Sequence, residues 1–310
     1  MPLLRPLRPD EHDSLAALIC TSTNAWYQKN RGFEIFTAGP ASCRLFPDVY
    51  ESLDPGCCIV AEDPQSRRLM GSCFYHPRDT HVSLGIMNVH PDFCGRGVAS
   101  QLLRHITTFA DTHNLPTRLV SSAMNLDSFS LYSRAGFVPR ATFADMQIPV
   151  EAARDLPPAD LTTHAVRPAT AADVPAIAVL EFELAHIRRE KDYAFFVANR
   201  QQIWRTTVAQ TPAGRIDGVL VSVAHPASTM LGPGVFRNDT LATVLIADHL
   251  RHHAAAGIAP VSLIPLDHPA LVRQMYAWGA KNLELHLAQV RGPYTPPLSI
   301  TMPTFMPETA

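Results

Sequence analysis

The sequence lacks the marks of several protein classes. No run of about 18 or more uninterrupted apolar residues exists, and the longest candidates, such as Val219–Ala224, are strand-sized, so no spanning helix is expected. The amino terminus has no long apolar core followed by small residues, so it does not read as a secretion signal, and a cytoplasmic location is expected. Charge of one sign is missing too: Lys and Arg total 26 against 28 for Asp and Glu, a formal net charge of −2 that provides no general field for a polyanion. Nucleic acid and membrane are therefore not expected as partners. The six cysteines, Cys20, Cys43, Cys57, Cys58, Cys73 and Cys94, all lie in the first third, with no C-x-x-C and no His/Cys spacing fit for tetrahedral zinc. They are expected as reduced core or pocket thiols, and no metal is expected. Glycine is scarce, with 15 residues against 27 prolines, which predicts connections stiffened at fixed φ and several stopped helices.

What remains is a folded chain of 310 residues, 46% hydrophobic and 17% charged, long enough for two domains each with its own core. A strand is predicted around Leu3–Leu7 and a helix from Pro9 or Asp10 with Leu15, Leu18 and Ile19 on its inner face. Cys57–Glu62 and Leu69–Tyr75 read as neighbouring antiparallel strands joined through polar Asp63–Arg68. A third strand, His81–Val89, ends at Pro91. The positions Val98, Leu102, Leu103, Ile106, Phe109 and Ala110 recur at helical spacing, Arg118–Ser121 reads as a strand, and a short helix after Asn125 stops at Gly136.

The second half repeats this order. Arg167-Pro168 before an apolar-faced segment (Val174, Ile177, Leu180, Leu184) matches Arg8-Pro9 before the first helix; Gly218–Pro226 matches Gly71–Pro77; and Asp267–Gly279 matches Asn125–Gly136. A period of about 145–149 residues indicates duplication of a whole domain, not a solenoid. The predicted organisation is a first domain over 1–150, a connector over 151–164, and a second domain over 165–310. Leu283–Val290 is expected to close the second domain's sheet, and the proline-rich tail after Gly292 to lie on the surface or across the domain junction.

One segment points to chemistry. Val89 ends a strand, Cys94-Gly95-Arg96-Gly97-Val98-Ala99 follows, and a helix begins. Two glycines allow close backbone approach, and free N–H groups with the helix dipole suit an anion such as a pyrophosphate. The spacing is neither that of a P-loop nor of a dinucleotide fingerprint.

These residues resemble the GNAT acyltransferase superfamily, whose signature is a strand ending in Val-x-Pro, the loop Q/R-x-x-G-x-G/A, and a helix. Cys94 departs from that pattern at the first position. Asn125 and Leu131-Tyr132 with Gly136-Phe137 are similar to the family's Asn and terminal Tyr-x-x-x-Gly-Phe element. The resemblance covers roughly residues 1–150 and implies an α+β fold in three layers. Each half would be a GNAT-like domain, a mixed, mostly antiparallel sheet flanked by helices with two strands splayed into an acyl-CoA cleft. It implies acetyl-CoA or another acyl-CoA as co-substrate, with Met87, Asn88 and Val89 pairing with the pantetheine amides. The loop Cys94, Gly95, Arg96, Gly97, Val98 and Ala99 would hold the pyrophosphate, Asn125 with Ser128 the pantetheine arm, and Tyr132 would protonate the leaving thiolate.

Acyl transfer to an amine also needs a proton acceptor. The candidates are His76, Asp79 and His81. Asn24, Trp26, Tyr27, Arg78 and Ser122 are the candidate acceptor-site residues, with Arg78 able to grip a carboxylate. The expected reaction is direct N-acyl transfer in the first domain to the amine of a small molecule, by a monomer or homodimer; the alternative is a non-catalytic acyl-CoA-binding regulatory or interaction module. A third reading makes Cys94 an acyl-carrying nucleophile. In the second half, Gly232–Ala242 lacks a paired Gly-x-Gly at the helix start and carries Asp239, so a degenerate domain is expected there. Tyr276 with Gly279 is expected to preserve packing, and His249, His252 and His253 to lie at a solvated helix end.

Overall fold

The computed structural model describes residues 2–158, 161–306 and 308–309. The chain forms two compact units: residues 1–77 and 81–119 with Phe305–Glu308, and residues 78–80 and 120–304 with the last two residues. The division falls within a strand, between Leu119 and Val120, and not near residue 150.

The first unit begins with β1 (Leu3–Pro6), a 3-10 turn, and α1 (His12–Arg31), which buries Leu15, Leu18 and Ile19 as their spacing predicts. Gly32, at φ +78, ends α1 by donating its N–H to the Tyr27 and Gln28 carbonyls. After α2 (Leu45–Leu53) come β2 (Cys58–Glu62), β3 (Leu69–Pro77) and β4 (Val82–Val89), then α3 (Val98–Thr112) and the start of β5 (Thr117–Ser122). The strand order is β1-β2-β3-β4-β5, antiparallel up to β4 and parallel between β4 and β5. Residues of β2 and β3 are buried on both faces apart from the ends of β3, as central strands covered on both sides must be. Gly71 lets α3 come close: a Cβ there would lie 2.7 Å from the Asn88 carbonyl and 3.0 Å from Val98.

The second unit takes the end of β5, then α4 (Leu126–Arg134), β6 (Val138–Gln147), α5 (Val150–Arg154), β7 (Ala165–Pro168), α6 (Val174–Ala185), α7 (Glu190–Ala198), β8 (Trp204–Gln210), β9 (Ile216–His225), β10 (Ser228–Phe236), α8 (Asp239–Ala255), β11 (Val261–Pro265), α9 (Pro269–Ala277), β12 (Lys281–Arg291) and β13 (Ile300–Met302). Its strands run β5-β12-β6-β11-β10-β9-β8-β7, with β13 on β10. This corrects the expected role of Leu283–Val290: β12 lies between β5 and β6, and β6 lies between β12 and β11. Ala144, Met146 and Ile264 on one face join Leu245, Leu250, Leu271 and Met275 in the core.

Each unit opens with the same device. Arg5 donates through Nε to Glu62 on β2 and through its terminal nitrogens to Glu11, six residues on; Arg167 donates through Nε to Gln210 on β8 and through its terminal nitrogens to Asp173, also six residues on. A partly exposed guanidinium thus pins the first strand to its neighbour and to the turn entering the first helix, in both repeats.

One expected loop is not a loop: the connector carries α5, and Ala153 and Leu156 are buried in the second unit's core; Ala159 and Asp160 lie outside the described residues. The tail after Gly292 is exposed from Thr295 to Leu298, as expected, but Ile300, Met302, Thr304 and Met306 are buried. Tyr50 donates its hydroxyl hydrogen to the Phe305 carbonyl. Apolar side chains at alternate tail positions find a sheet edge on β10.

Candidate active site

The ladder between β4 and β5 extends over Val82–Thr117 and Ser83–Arg118 only. Beyond it β4 keeps β3 as its partner, through Met87–Cys73, Asn88–Ser72 and Val89–Gly71. Between Leu84 and Met87 the strand advances three residues while β3 advances two, a bulge that bends β4 where its other edge opens. The backbone of Met87, Asn88 and Val89 is thus a strand edge able to pair with an amide-bearing chain. Thr23 on α1 accepts from the Asn88 side chain at 3.2 Å.

From that edge the chain enters a 3-10 turn, Pro91–Phe93, in which His90 Nδ1 accepts from the Asp92 N–H at 3.2 Å. Cys94, Gly95, Arg96 and Gly97 are exposed, and Gly95 and Gly97 stand at φ +77 and +75 with nothing within 4 Å of where a Cβ would be. Gly97 starts α3, and no side chain caps that helix. The N–H groups of its first turn, which have no carbonyl four residues back, therefore point out of an open loop. Arg68 and Arg96 lie over the Phe93 ring at 5.3 and 5.2 Å; Arg68 is paired with Asp92 at 2.9 Å, so Arg96 is the guanidinium that adds positive charge to the loop. A pyrophosphate fits this combination of bare donors, fixed dipole and arginine. The Cys94 thiol is exposed beside the His90 carbonyl, 3.8 Å away, so the missing Gln or Arg side chain leaves the amides in place.

The start of α8 is different. The segment Gly232–Phe236, expected as a loop, is part of β10, and only Arg237 and Asn238 separate strand from helix. Asn238 Oδ1 accepts from the Leu241 N–H at 3.0 Å, and Arg237 is held by Glu183 and Asp217. That helix start is already capped by the chain itself.

The remaining candidates are dispersed. His76 and His81 are fully buried: His76 Nδ1 lies 2.7 Å from Asp54 Oδ2, and His81 Nε2 lies 3.0 Å from Ser83 Oγ. Asp79 is exposed. Arg78 is neither solvated nor open to a ligand carboxylate, because its guanidinium donates to Asp192 at 2.8 Å with both side chains buried. Asn24 is buried and holds its own loop, accepting from the Ile35 and Phe36 N–H groups and donating to the Phe36 carbonyl. Trp26 and Tyr27 are half-buried, with ring centres 5.0 Å apart, and Phe33 extends the cluster. In the second unit Asn125 caps α4, its Oδ1 accepting from the Ser128 N–H at 3.1 Å; Tyr132 is the one buried residue of that helix. Ser122 donates to Glu284 Oε1 at 2.6 Å. Tyr276, expected to pack, is 51% exposed.

The histidines of α8 correct another expectation. His249 and His253 are buried, and both hydrogen-bond to Ser222, at 2.8 and 2.9 Å, while His249 also meets Thr207 at 3.0 Å. Burial holds His249 well below the ordinary imidazole range and His253 down to about 4, with neighbouring His252 and Arg205 adding to the effect. Both are neutral in the folded chain, whereas an unfolded chain takes up protons below about pH 6.5. Stability is therefore complete above that pH and is lost as pH falls toward 4, by about 3 kcal/mol for His253 alone. Urea unfolding at pH 7.5 and 5.0 checks this: the native midpoint drops at pH 5.0, and a His253→Gln variant shows a smaller drop. An equal drop in both would assign the acid sensitivity elsewhere.

The fold and the open loop define an acyltransferase-type α+β protein. Residues 22–137 match the acetyltransferase (GNAT) family. Among solved structures, a Pyrococcus horikoshii protein matches with a TM-score of 0.73 at 12% identity, over 97% of this chain and 92% of its own. A GCN5-related N-acetyltransferase from Sphaerobacter thermophilus matches with 0.63 at 16%, over 96% and 98%. A tandem GNAT protein from the clavulanic acid biosynthesis pathway matches with 0.63 at 15%, over 95% and 100%. The likeness extends across both halves, so the whole chain has the tandem GNAT fold. Among curated proteins no sequence matches the chain. No helix of the described residues is long and apolar enough to cross a membrane.

Proposed function

We propose that this protein is an acyl-CoA-dependent N-acyltransferase that moves an acyl group, acetyl in the first instance, onto the amine of a small molecule. The observation that carries the reading is the uncapped start of α3 behind two left-handed, exposed glycines, beside a stretch of β4 that pairs on one edge only among the described residues. In this reading the N–H groups of Gly95, Gly97, Val98 and Ala99 bind the pyrophosphate with the Arg96 side chain beside them, and Met87–Val89 bind the pantetheine amides. The resemblance adds Asn125 and Ser128 for the arm and Tyr132 as the acid. The amine attacks the thioester carbonyl, a C–N bond forms, the C–S bond breaks, and the Tyr132 hydroxyl supplies the thiolate's proton. His76, Asp79 and His81 are the proton acceptors of this reading. His76 has the orienting carboxylate that a histidine base uses, and its burial requires water to carry the proton to it. Trp26 and Tyr27 serve as acceptor walls, while Arg78, already neutralised by Asp192, has no part.

Calorimetric titration with acetyl-CoA tests this. The native chain is expected to bind one equivalent, and a Gly97→Asp variant to bind at least about 100-fold more weakly, because a side chain at φ +75 is strained and its carboxylate opposes the pyrophosphate. Far-UV circular dichroism should be unchanged. No binding by the native protein would overturn the reading for this donor, and a second site would show that the other repeat also holds ligand.

A further inference from the structure

Three side chains in the second unit come together only because β6 and β12 are neighbours. Glu284 stands opposite Asp145 in the ladder, and His286 lies two residues further along the same face of β12. All three are buried, and their ligand atoms lie within 4.8 Å of one another. His286 Nδ1 is 2.6 Å from Asp145 Oδ1, and Ser122 at the end of β5 donates to Glu284 Oε1. Two carboxylates face each other across one ladder rung in a medium of low dielectric, where like charges oppose each other.

We propose that Asp145, Glu284 and His286 bind one first-row divalent cation, zinc or an ion of similar chemistry, and thereby fasten β6 to β12. The donor set of one imidazole and two carboxylates matches that preference better than the all-oxygen sets of calcium and magnesium. Around such an ion, bonds of about 2.0–2.2 Å put ligand atoms about 3.3 Å apart. The three atoms reach that spacing by small side-chain rotations, with His286 and Asp145 parting by less than about 1 Å. Cation binding needs Nδ1 and Oδ1 free of protons, so any proton held there leaves when the cation enters. Ser122 then fixes the Glu284 carboxylate as an outer partner. The site is independent of the acyl-transfer reading.

The test uses the full chain with any affinity tag removed, treated with chelator and titrated with zinc chloride by calorimetry at pH 7.5 in two buffers of different ionisation enthalpy. One equivalent is expected to bind with a dissociation constant below about 1 μM, releasing a proton and raising the melting temperature. Glu284→Gln and His286→Gln should each weaken binding by at least about 100-fold, and His252→Gln should leave it unchanged. If a variant fails to fold, cobalt(II) on the native chain decides: visible bands without a thiolate charge-transfer band support the site. No stoichiometric binding, binding that survives both variants, loss in His252→Gln, or a thiolate band would each overturn it.

Discussion

Replacing Tyr132 by phenylalanine is expected to lower acetyl transfer by roughly 10²–10³-fold while leaving the acetyl-CoA dissociation constant within about threefold of native. The ring is buried on α4 and packs against Phe137 with centres 5.8 Å apart, an arrangement that phenylalanine can keep. Only the hydroxyl is lost, and with it the proton for the departing thiolate. Steady-state rates over a panel of small amines, set beside calorimetry, separate the outcomes. A fall in rate at constant affinity supports the acid. Equal loss of both would assign Tyr132 to packing. A native protein that binds acetyl-CoA but acylates none of the amines would be a binding module.

The largest stability effect is expected from Asp192→Asn. Arg78 lies in the turn between β3 and β4, and its charge is met by Asp192 at the start of α7, with side chains 1% and 0% exposed. Just before that helix, buried Arg189 pairs with Glu181 and lies near the Tyr193 hydroxyl. Removing one partner leaves a buried cation, which costs about 3–5 kcal/mol, and for a unit of this size lowers the melting temperature on the order of 10 °C. The double variant Arg78→Met with Asp192→Leu removes both charges together and should melt much nearer the native temperature. Thermal unfolding followed by circular dichroism checks both. A silent Asp192→Asn would mean that the guanidinium reaches water, and Arg78 would again be free to grip an acceptor.

The anion loop was legible because its signal is local. A strand, two glycines and an amphipathic helix lie within some two dozen residues, and the conformation each needs is set by its neighbours in the chain. Most first-repeat strands and helices were legible for the same reason, although α2 was not, and the residue that plays the part of Arg167 is Arg5, not the Arg8 that the sequence match suggested. Arg78, Asn24, His249 and His253 were not. Residue type and exposure statistics favour solvated or ligand-facing roles for them, and only packing shows that Asp192, the Phe36 backbone and Ser222 satisfy them instead.

Sequence alone determined the repeat, the order of its elements, the family of residues 22–137 and the glycine loop, all of which depend on periodicity and short motifs. Tertiary structure decided that β12 lies between β5 and β6, that the tail supplies a strand to β10, and that Asp145 meets His286 from 141 residues away. Strand neighbours are chosen by which apolar faces and ladder edges fit across the whole chain, and an alternating pattern specifies a buried face without naming its partner.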